Sequence, residues 1–338
     1  GLNGTGKSSV IKSLGPVLAQ KELYQDEINP ETKYNVDLEL YDQFGQIHTK
    51  IRKLNEKANS RKQNLVKGFA AYGPVRLQTA RKDIGEWQLK RALNKSKSLD
   101  SLREENESYL LDISTHIKHW KQKAKHRRFI AKRKEYIKEV LRDLFESRFD
   151  ISFNKSDEIV YIEIDENGKE LKRVPYKHLS TGLRGTISLL GDILIRLYEQ
   201  QPDISDPSDL KGIVLIDEID IHLHPILQKR LIEEFSNTFS KVQFLVTTHS
   251  PIPILGAPKG SVICTVTRDQ ENGIKLHRVD QKVMFDRILP NALLNSPIFG
   301  MESLLPESKL DETDLILEDD FNEARLHQKL EKDVEDFM

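Results

Sequence analysis

Gly1-Leu-Asn-Gly-Thr-Gly-Lys7-Ser8 matches the phosphate-loop pattern G-x-x-x-x-G-K-[ST], and this match decides the fold class that we expect. In such a loop, glycines let backbone N–H groups turn toward phosphate oxygens at the positive end of the following helix. Lys7 would reach the outer phosphates, and the hydroxyl of Ser8 would bind Mg²⁺. Because a phosphate loop follows a β-strand, a strand is expected before Gly1. The alternative is a glycine-rich turn beside a helix start.

A second motif lies far along the chain, where four apolar residues end in two carboxylates: Ile213-Val-Leu-Ile-Asp217-Glu218. Such a run predicts a buried strand of a parallel sheet, and ligands bind at the carboxyl edge of such sheets. We expect Asp217 to hold Mg²⁺ through water, and Glu218 to polarise the water that attacks a phosphate. The alternative is that these acids only favour the start of a helix at Pro225.

The sequence between and after these motifs alternates between strand and helix patterns. Gly15-Pro16 is expected to end the short helix that follows the phosphate loop. Strands are predicted by period-two alternation or by short apolar runs over 34–41, 46–52, 158–164, 169–174, 212–216, 242–246, 261–268 and 274–280. Helices are predicted over much of 100–149, after residue 182, and from Pro225 to about residue 239.

Composition excludes several classes of protein. The 338 residues carry 52 Lys+Arg against 53 Asp+Glu, and this net charge of -1 excludes a uniformly basic nucleic-acid coat. The single cysteine, Cys264, excludes a disulfide framework and a four-cysteine metal site. No apolar run approaches the ~18 residues of a membrane helix, and no signal-peptide pattern opens the chain. We therefore expect a soluble, cytoplasmic protein without a membrane partner.

The strongest local charge lies in residues 118–134, which hold nine Lys/Arg and no acid. Trp120 and Phe129 lie among these cations, a composition typical of an arm that binds DNA or RNA with strong salt dependence. A solvated helix face, or a docking strip for an acidic partner, has the same composition. The tail from Asp311 carries eleven acids against three bases, which suits a docking segment or a frayed end.

Two further segments complete a layout that resembles the ABC- and SMC-type ATPase heads. Leu179-Ser180-Thr181-Gly182 resembles the ABC signature, although Thr181 replaces the usual second glycine. Thr247-Thr248-His249-Ser250 ends a predicted strand, where these ATPases carry a switch histidine. Asp217-Glu218-Ile-Asp220-Ile-His222-Leu-His224-Pro225 resembles the form of the second motif in the RecF-like and OLD-like branch. Zinc binding by its two histidines is disfavoured, because no third ligand lies nearby.

The resemblance implies an α/β fold: an ABC-type P-loop head with a mixed central sheet, an antiparallel β lobe and an inserted helical arm. The head would occupy 1–99 and 150–300, the arm 100–149, and an acidic segment 301–338. Two chains would close as a homodimer on ATP and Mg²⁺, with Ser180 of one chain on the γ-phosphate held by the other. The resemblance assigns hydrolysis to Glu218, His249 and Lys7, Mg²⁺ to Ser8 and Asp217, and nucleotide binding to Asn3, Gly4, Thr5, Gly6, Lys7, Ser8, Ser9, Ser180 and Gly182.

Within that branch, Phe69-Ala-Ala-Tyr-Gly-Pro-Val-Arg76 and Ser296-Pro-Ile-Phe-Gly-Met-Glu-Ser303 resemble segments of the ATPase subunit of Septu-type anti-phage defence systems. That family is also found beside retrons, and it works with a separate HNH nuclease subunit. The sequence itself has no HNH signature. Two alternatives stay open: an OLD-type ATPase whose TOPRIM nuclease domain lies beyond residue 338, and a RecF-like clamp that binds DNA.

Overall fold

The computed structural model describes residues 6–19, 35–41, 47–53, 66–76, 99–102, 110–145, 149–221, 223–269, 273–281, 283, 285 and 288–299. The chain divides into two compact units after Pro290, and the fold and candidate site belong to the first. The strands are β1 (Asn35–Tyr41), β2 (Ile47–Lys53), β3 (Gly68–Tyr72), β4 (Phe149–Phe153), β5 (Ile159–Ile164), β6 (Glu170–Val174), β7 (Gly212–Ile216), β8 (Val242–Val246), β9 (Cys264–Asp269) and β10 (Gly273–Arg278). The α-helices are α1 (Lys7–Ala19), α2 (Ile113–Gln122), α3 (Ala124–Arg127), α4 (Ile130–Leu144), α5 (Thr181–Gln200), α6 (Pro225–Thr238), α7 (Pro251–Leu255) and α8 (Pro290–Leu294).

Three parallel strands form the central sheet, in the order β3–β7–β8. Alternate residues of β3 and β7 enter two different cores, because successive side chains of a strand point to opposite faces. Phe69 and Leu215 pack in the cluster that contains Ile11 of α1, whereas Tyr72 and Ile216 pack in the larger cluster that contains α5. Burial on both faces explains the unbroken apolar runs of these strands, and it confirms the parallel strand predicted over 212–216.

The antiparallel strands lie in separate sheets within the described residues: β1–β2, β4–β5–β6 and β9–β10. The paired strands predicted from alternation are confirmed, with ends shifted by a few residues. Strand β4, Phe149–Phe153, was missed, because the predicted helical segment of 100–149 included the first residue of this strand. Its sequence, Phe-Asp-Ile-Ser-Phe, does alternate, so the signal for a strand was present.

The helical arm packs against α5. Asp112 caps α2 by accepting a 2.7 Å hydrogen bond from the N–H of Thr115. The apolar faces of α2 and α4 place Trp120, Ile137 and Leu141 in the same core as the middle of α5. The arm is therefore part of the main hydrophobic core.

Helix α1 does not end at Gly15-Pro16, and this expectation was wrong. It continues to Ala19 with Pro16 inside it. A proline inside a helix costs about 3 kcal/mol. Here Leu18 and Ala19 lie in the same buried cluster as Ile11, so burial of the last turn outweighs that cost.

We predict that Gly256→Ala destabilises the protein. A Cβ atom at Gly256 would lie 1.7 Å from the carbonyl oxygen of Lys229, so α6 and α7 would have to move apart. Such overpacking costs roughly 1–3 kcal/mol in the free energy of unfolding, measured by urea denaturation. Gly185→Ala is the matched control, because nothing lies within 4 Å of its Cβ. That helix substitution should stabilise by about 0.5–1 kcal/mol, and a Gly256→Ala protein of unchanged stability would contradict the packing of α6 on α7.

Candidate functional site

The two sequence motifs and the switch segment meet at one edge of the central sheet. Strands β7 and β8 are parallel neighbours in which Ile216 lies opposite Val246, so the residues after both strands emerge side by side. Helix α1 begins at Lys7 beside them, directly after Gly6, whose φ of +97° favours glycine. The Nζ atom of Lys7 lies 3.1 Å from Nδ1 of His249. The structure therefore brings together two residues that lie 242 positions apart in the sequence.

Lys7 and His249 are in contact with each other and lie near the carboxylates that follow β7. An ammonium group only donates hydrogen bonds, so Nδ1 of His249 accepts from Lys7 and the ring proton lies on Nε2. Nε2 lies 4.0 Å from Oε1 of Glu218. Burial lowers the pKa of the Lys7 amine, while the charges of Asp220, Glu218 and Asp217 act in the opposite direction. A bound phosphate would also favour the charged form of this amine.

Asp217 fits the role of a magnesium ligand. The residue is 1% exposed, and its Oδ1 accepts a hydrogen bond from the hydroxyl of Thr247. Its Oδ2 is buried without a hydrogen-bond partner among the described residues. A buried carboxylate oxygen normally has a partner, and Mg²⁺ with its water molecules is a suitable one. Ser8, the other predicted ligand, follows Lys7 in the first turn of α1.

Thr247 and Thr248 are functional candidates that the sequence analysis missed. The hydroxyl of Thr247 bonds to Asp217 and also accepts the N–H of Glu218 at 2.9 Å. The hydroxyl of Thr248 donates to Oδ1 of Asp220. The pair therefore ties the end of β8 to the acidic segment after β7. Their place just before His249, at the end of a predicted strand, was the only signal for them.

Ser180 and Gly182 lie at the N-terminus of α5. Ser180 is the exposed N-cap of α5, and its Oγ accepts a 3.3 Å hydrogen bond from the N–H of Leu183. The carbonyl of Gly182 accepts from the hydroxyl of Thr186. Among the described residues, no hydrogen bond or ion pair joins either residue to Lys7 or Asp217.

The other predicted site residues are either placed outside this cluster of contacts or lie outside the described residues. Ser9 is exposed in the first turn of α1. Asn3, Gly4, Thr5 and His222 lie outside the described residues. His224 caps α6 through its Nδ1 atom. In the part of the chain that the structure describes, no group of three or more His, Cys, Asp or Glu side chains is placed to hold a metal ion.

Residues 1–252 match the model of the family described as "AAA domain, putative AbiEii toxin, Type IV TA system". The chain belongs to this family. It therefore carries an ATPase domain, and the predicted relation to ATPases of defence systems is confirmed by the relatives that follow.

Two similar proteins come from retron and Septu systems. The chain is 30% identical over 191 residues to "Retron Vc95 probable ATPase" of Vibrio cholerae serotype O1 biovar El Tor, a match that covers 53% of this chain and 35% of that protein. It is 28% identical over 171 residues to "Septu protein PtuA" of Bacillus mycoides (strain KBAB4), covering 51% of this chain and 22% of that protein. The chain therefore matches only about a third or less of the length of these relatives.

A solved structure with a similar arrangement is the SMC head bound to the C-terminal winged-helix domain of ScpA. It has 14% sequence identity and a TM-score of 0.44, and the match covers 82% of this chain and 87% of that one.

The basic block of this AAA domain makes many contacts with the rest of the protein. Arg133 is buried, and its guanidinium lies 4.1 Å from the ring centre of Tyr198 and donates to the carbonyls of Pro202 and Ile204. Five other cations of 118–134 form ion pairs: Lys118 with Glu158, Lys121 and Lys134 with Asp157, Lys123 with Glu199, and Arg128 with Asp203. Arg127 donates to the carbonyl of Lys121, so at least seven of the nine cations bond within the chain.

The helices of the described residues include none that is both long enough and apolar enough to cross a membrane.

We predict that Thr247→Val slows ATP hydrolysis while leaving nucleotide binding nearly unchanged. The change keeps the shape of the side chain but leaves Asp217 and the N–H of Glu218 without the Thr247 hydroxyl. An unpaired buried polar group costs about 1–3 kcal/mol, so turnover should fall by roughly tenfold to a hundredfold. The measurement is kcat beside the Kd for ATP. Thr247→Ser, which keeps the hydroxyl, should retain most activity, and equal rates for the Val variant and the wild type would refute this role.

Proposed function

We propose that this chain binds and hydrolyses ATP with Mg²⁺ as a dimer, and that its ATP cycle controls a separate HNH-type nuclease subunit of an anti-phage defence complex. One observation carries the proposal. Lys7, Asp217, Glu218 and His249 converge at one edge of the sheet, whereas Ser180 lies exposed and outside this cluster. The site has the groups for phosphoryl transfer to water.

Each residue of the cluster would have a separate role in hydrolysis. The amine of Lys7 and the first N–H groups of α1 would hold the outer phosphates of ATP. Mg²⁺, held by Ser8 and Asp217, would neutralise charge on those phosphates. Glu218 would orient the attacking water and take its proton, while the Nε2–H of His249 would donate to a γ-phosphate oxygen. Catalysis then comes from positioning and charge neutralisation rather than from a covalent intermediate.

The exposed end of α5 supports a two-chain site. A helix N-terminus with a serine hydroxyl attracts anions. Helix α5 extends from Thr181 to Gln200 and is mostly buried from Thr186 onward, so Ser180 caps a helix that is anchored in the core. Because Ser180 caps an exposed helix N-terminus and is not among the residues that meet at the sheet edge, the phosphate that it contacts would be bound by a second copy.

The nuclease partner is supported by two facts. The similar proteins are named as components of retron and Septu systems, and this sequence has no HNH signature of its own. Binding of DNA or RNA through 118–134 has weaker support, because most of these cations already bond within the chain. Purification from the native host with ATP, followed by mass spectrometry, tests the assignment. Recovery of an HNH protein is expected; recovery of this protein alone, with metal-dependent nicking of DNA, would favour the OLD-type alternative.

We predict that Lys7→Ala and Glu218→Gln have different effects on the ATP cycle. Without the Lys7 amine the outer phosphates lose their main cation, so the affinity for ATP should fall by at least tenfold. Glu218→Gln keeps the shape of the side chain but removes the base, so ATP should bind normally and turnover should fall by ~100-fold or more. Calorimetric titration and phosphate release measure the two steps. Normal turnover by the Gln variant would mean that another residue activates the water.

We predict that two inactive variants restore activity when they form mixed dimers. Lys7→Ala removes a group on one side of each site, and Ser180→Arg blocks the other side. In a mixed dimer both defects fall in one site, so the second site is intact. Co-expression at equal amounts should therefore recover roughly a quarter of the wild-type turnover, by symmetry of the pairing. Coexpressed Lys7→Ala and Glu218→Gln would form an intact site only if Lys7 and Glu218 of one site came from different chains. We expect both residues of a site to come from the same chain, so this pair should recover none.

A further inference from the structure

The backbone of Glu218 has an unusual conformation. Its φ is +50°, in the left-handed region that non-glycine residues seldom occupy. Such a conformation persists only where the surrounding structure holds it, and it is common at active sites. Glu218 is also the residue proposed to activate water, so the groups that hold its backbone bear on the position of its carboxylate.

Arg76 holds the carbonyl side of this turn. Its Nη1 donates to the carbonyl of Asp217 at 2.8 Å, and its Nη2 donates to the carbonyl of Glu218 at 2.8 Å. Nη1 also donates to the carbonyl of Gly73 at 3.1 Å. One planar guanidinium therefore joins two successive carbonyls of the acidic turn to the loop that follows β3.

The other side of the turn is held by β8. The N–H of Glu218 bonds to the hydroxyl of Thr247, and the N–H of Ile219 bonds to the carbonyl of Thr247 at 3.0 Å. The N–H of Asp217 bonds to the carbonyl of Tyr72 at 2.8 Å. Residues of β3 and residues directly after β8 thus hold the N–H groups around Glu218. The carbonyls of Asp217 and Glu218 accept hydrogen bonds from Arg76.

A guanidinium suits this task better than an ammonium. It offers several N–H donors in a fixed plane, so it can bind two neighbouring carbonyls at once, whereas a lysine offers a single flexible nitrogen. Burial lowers the pKa of the Arg76 guanidinium, while the negative charges of Asp217, Asp220 and Glu218 act in the opposite direction.

We propose that Arg76 is a positioning residue for ATP hydrolysis: its guanidinium holds the left-handed backbone of Glu218 and so aims the carboxylate at the attacking water. This inference rests on the proposed role of Glu218. Arg76 acts through the backbone of Glu218 and does not itself bind the nucleotide.

The test compares Arg76→Lys with the wild type in the purified protein. Loss of the two-carbonyl contact should lower kcat by about tenfold to a hundredfold, because small displacements of reacting groups have effects of this size. The Kd for ATP should change by less than about twofold, since the positive charge remains. Arg128→Lys is the matched control, because Arg128 pairs with Asp203 on the exposed surface. It should leave both values unchanged.

A double variant distinguishes positioning from a purely structural role. If Arg76 acts through Glu218, then Arg76→Lys in the Glu218→Gln background should cause no further loss of kcat. An equal loss in both backgrounds, or a rise in the Kd for ATP that accounts for the whole loss, would overturn the proposal. Millimolar guanidinium should partly restore kcat in Arg76→Ala, and methylammonium should not. Rescue by both cations or by neither would overturn the proposal too.

The kcat of Glu218→Gln tests the role of Glu218 independently of the role of Arg76. If Glu218→Gln alone turns over normally, the proposed function of Glu218 fails, whatever Arg76 does. If Glu218→Gln is slow while Arg76→Lys keeps the wild-type kcat, only the role of Arg76 fails. Thermal unfolding of each variant shows that the protein is folded, and the conservative Lys variant retains the test if Arg76→Ala does not fold.

Discussion

The parallel pairing of β7 with β8 is the constraint on which the rest of the site depends. Its hydrogen bonds continue past the last residues of both strands, from the N–H of Thr247 to Ile216 and from the N–H of Ile219 to Thr247. The same backbone ladder therefore carries the acidic turn and the switch segment to one edge. A slip in this pairing would separate His249 from Glu218, whose side chains lie 4.0 Å apart in the observed register of β7 and β8.

Acidic and basic side chains lie close together in two parts of this protein. At the sheet edge, Asp217, Glu218 and Asp220 surround the cations of Lys7 and Arg76. In the arm, acids on β-turns and on α5 bond to the basic block, and buried Glu199 receives a 2.6 Å hydrogen bond from Trp120. Buried charges persist where they are paired. In the first group, Oδ2 of Asp217 has no hydrogen-bond partner among the described residues and can accept a ligand. In the second group, Oε2 of Glu199 forms an ion pair with Lys123, and such pairs hold the arm in place.

Site residues that belong to a recognisable local sequence motif could be predicted from the sequence. Asp217 and Glu218 follow an apolar run, and Lys7 follows a glycine loop, so their positions were predictable. The roles of Thr247 and Arg76 were not, because they depend on which strands lie side by side; Arg76 bonds to carbonyls 141 and 142 residues away. The continuation of α1 through Pro16 depended on packing against distant residues. Composition likewise does not show which cations of 118–134 meet acids elsewhere in the fold.

The most direct measurement is a cryo-EM or crystal structure of the Glu218→Gln protein with ATP and Mg²⁺. The account predicts two chains around each nucleotide, with Lys7 of one chain and Ser180 of the other on the same γ-phosphate, and Mg²⁺ beside Asp217. A nucleotide held by residues of one chain alone, with Ser180 of every copy turned to solvent, would contradict the shared site.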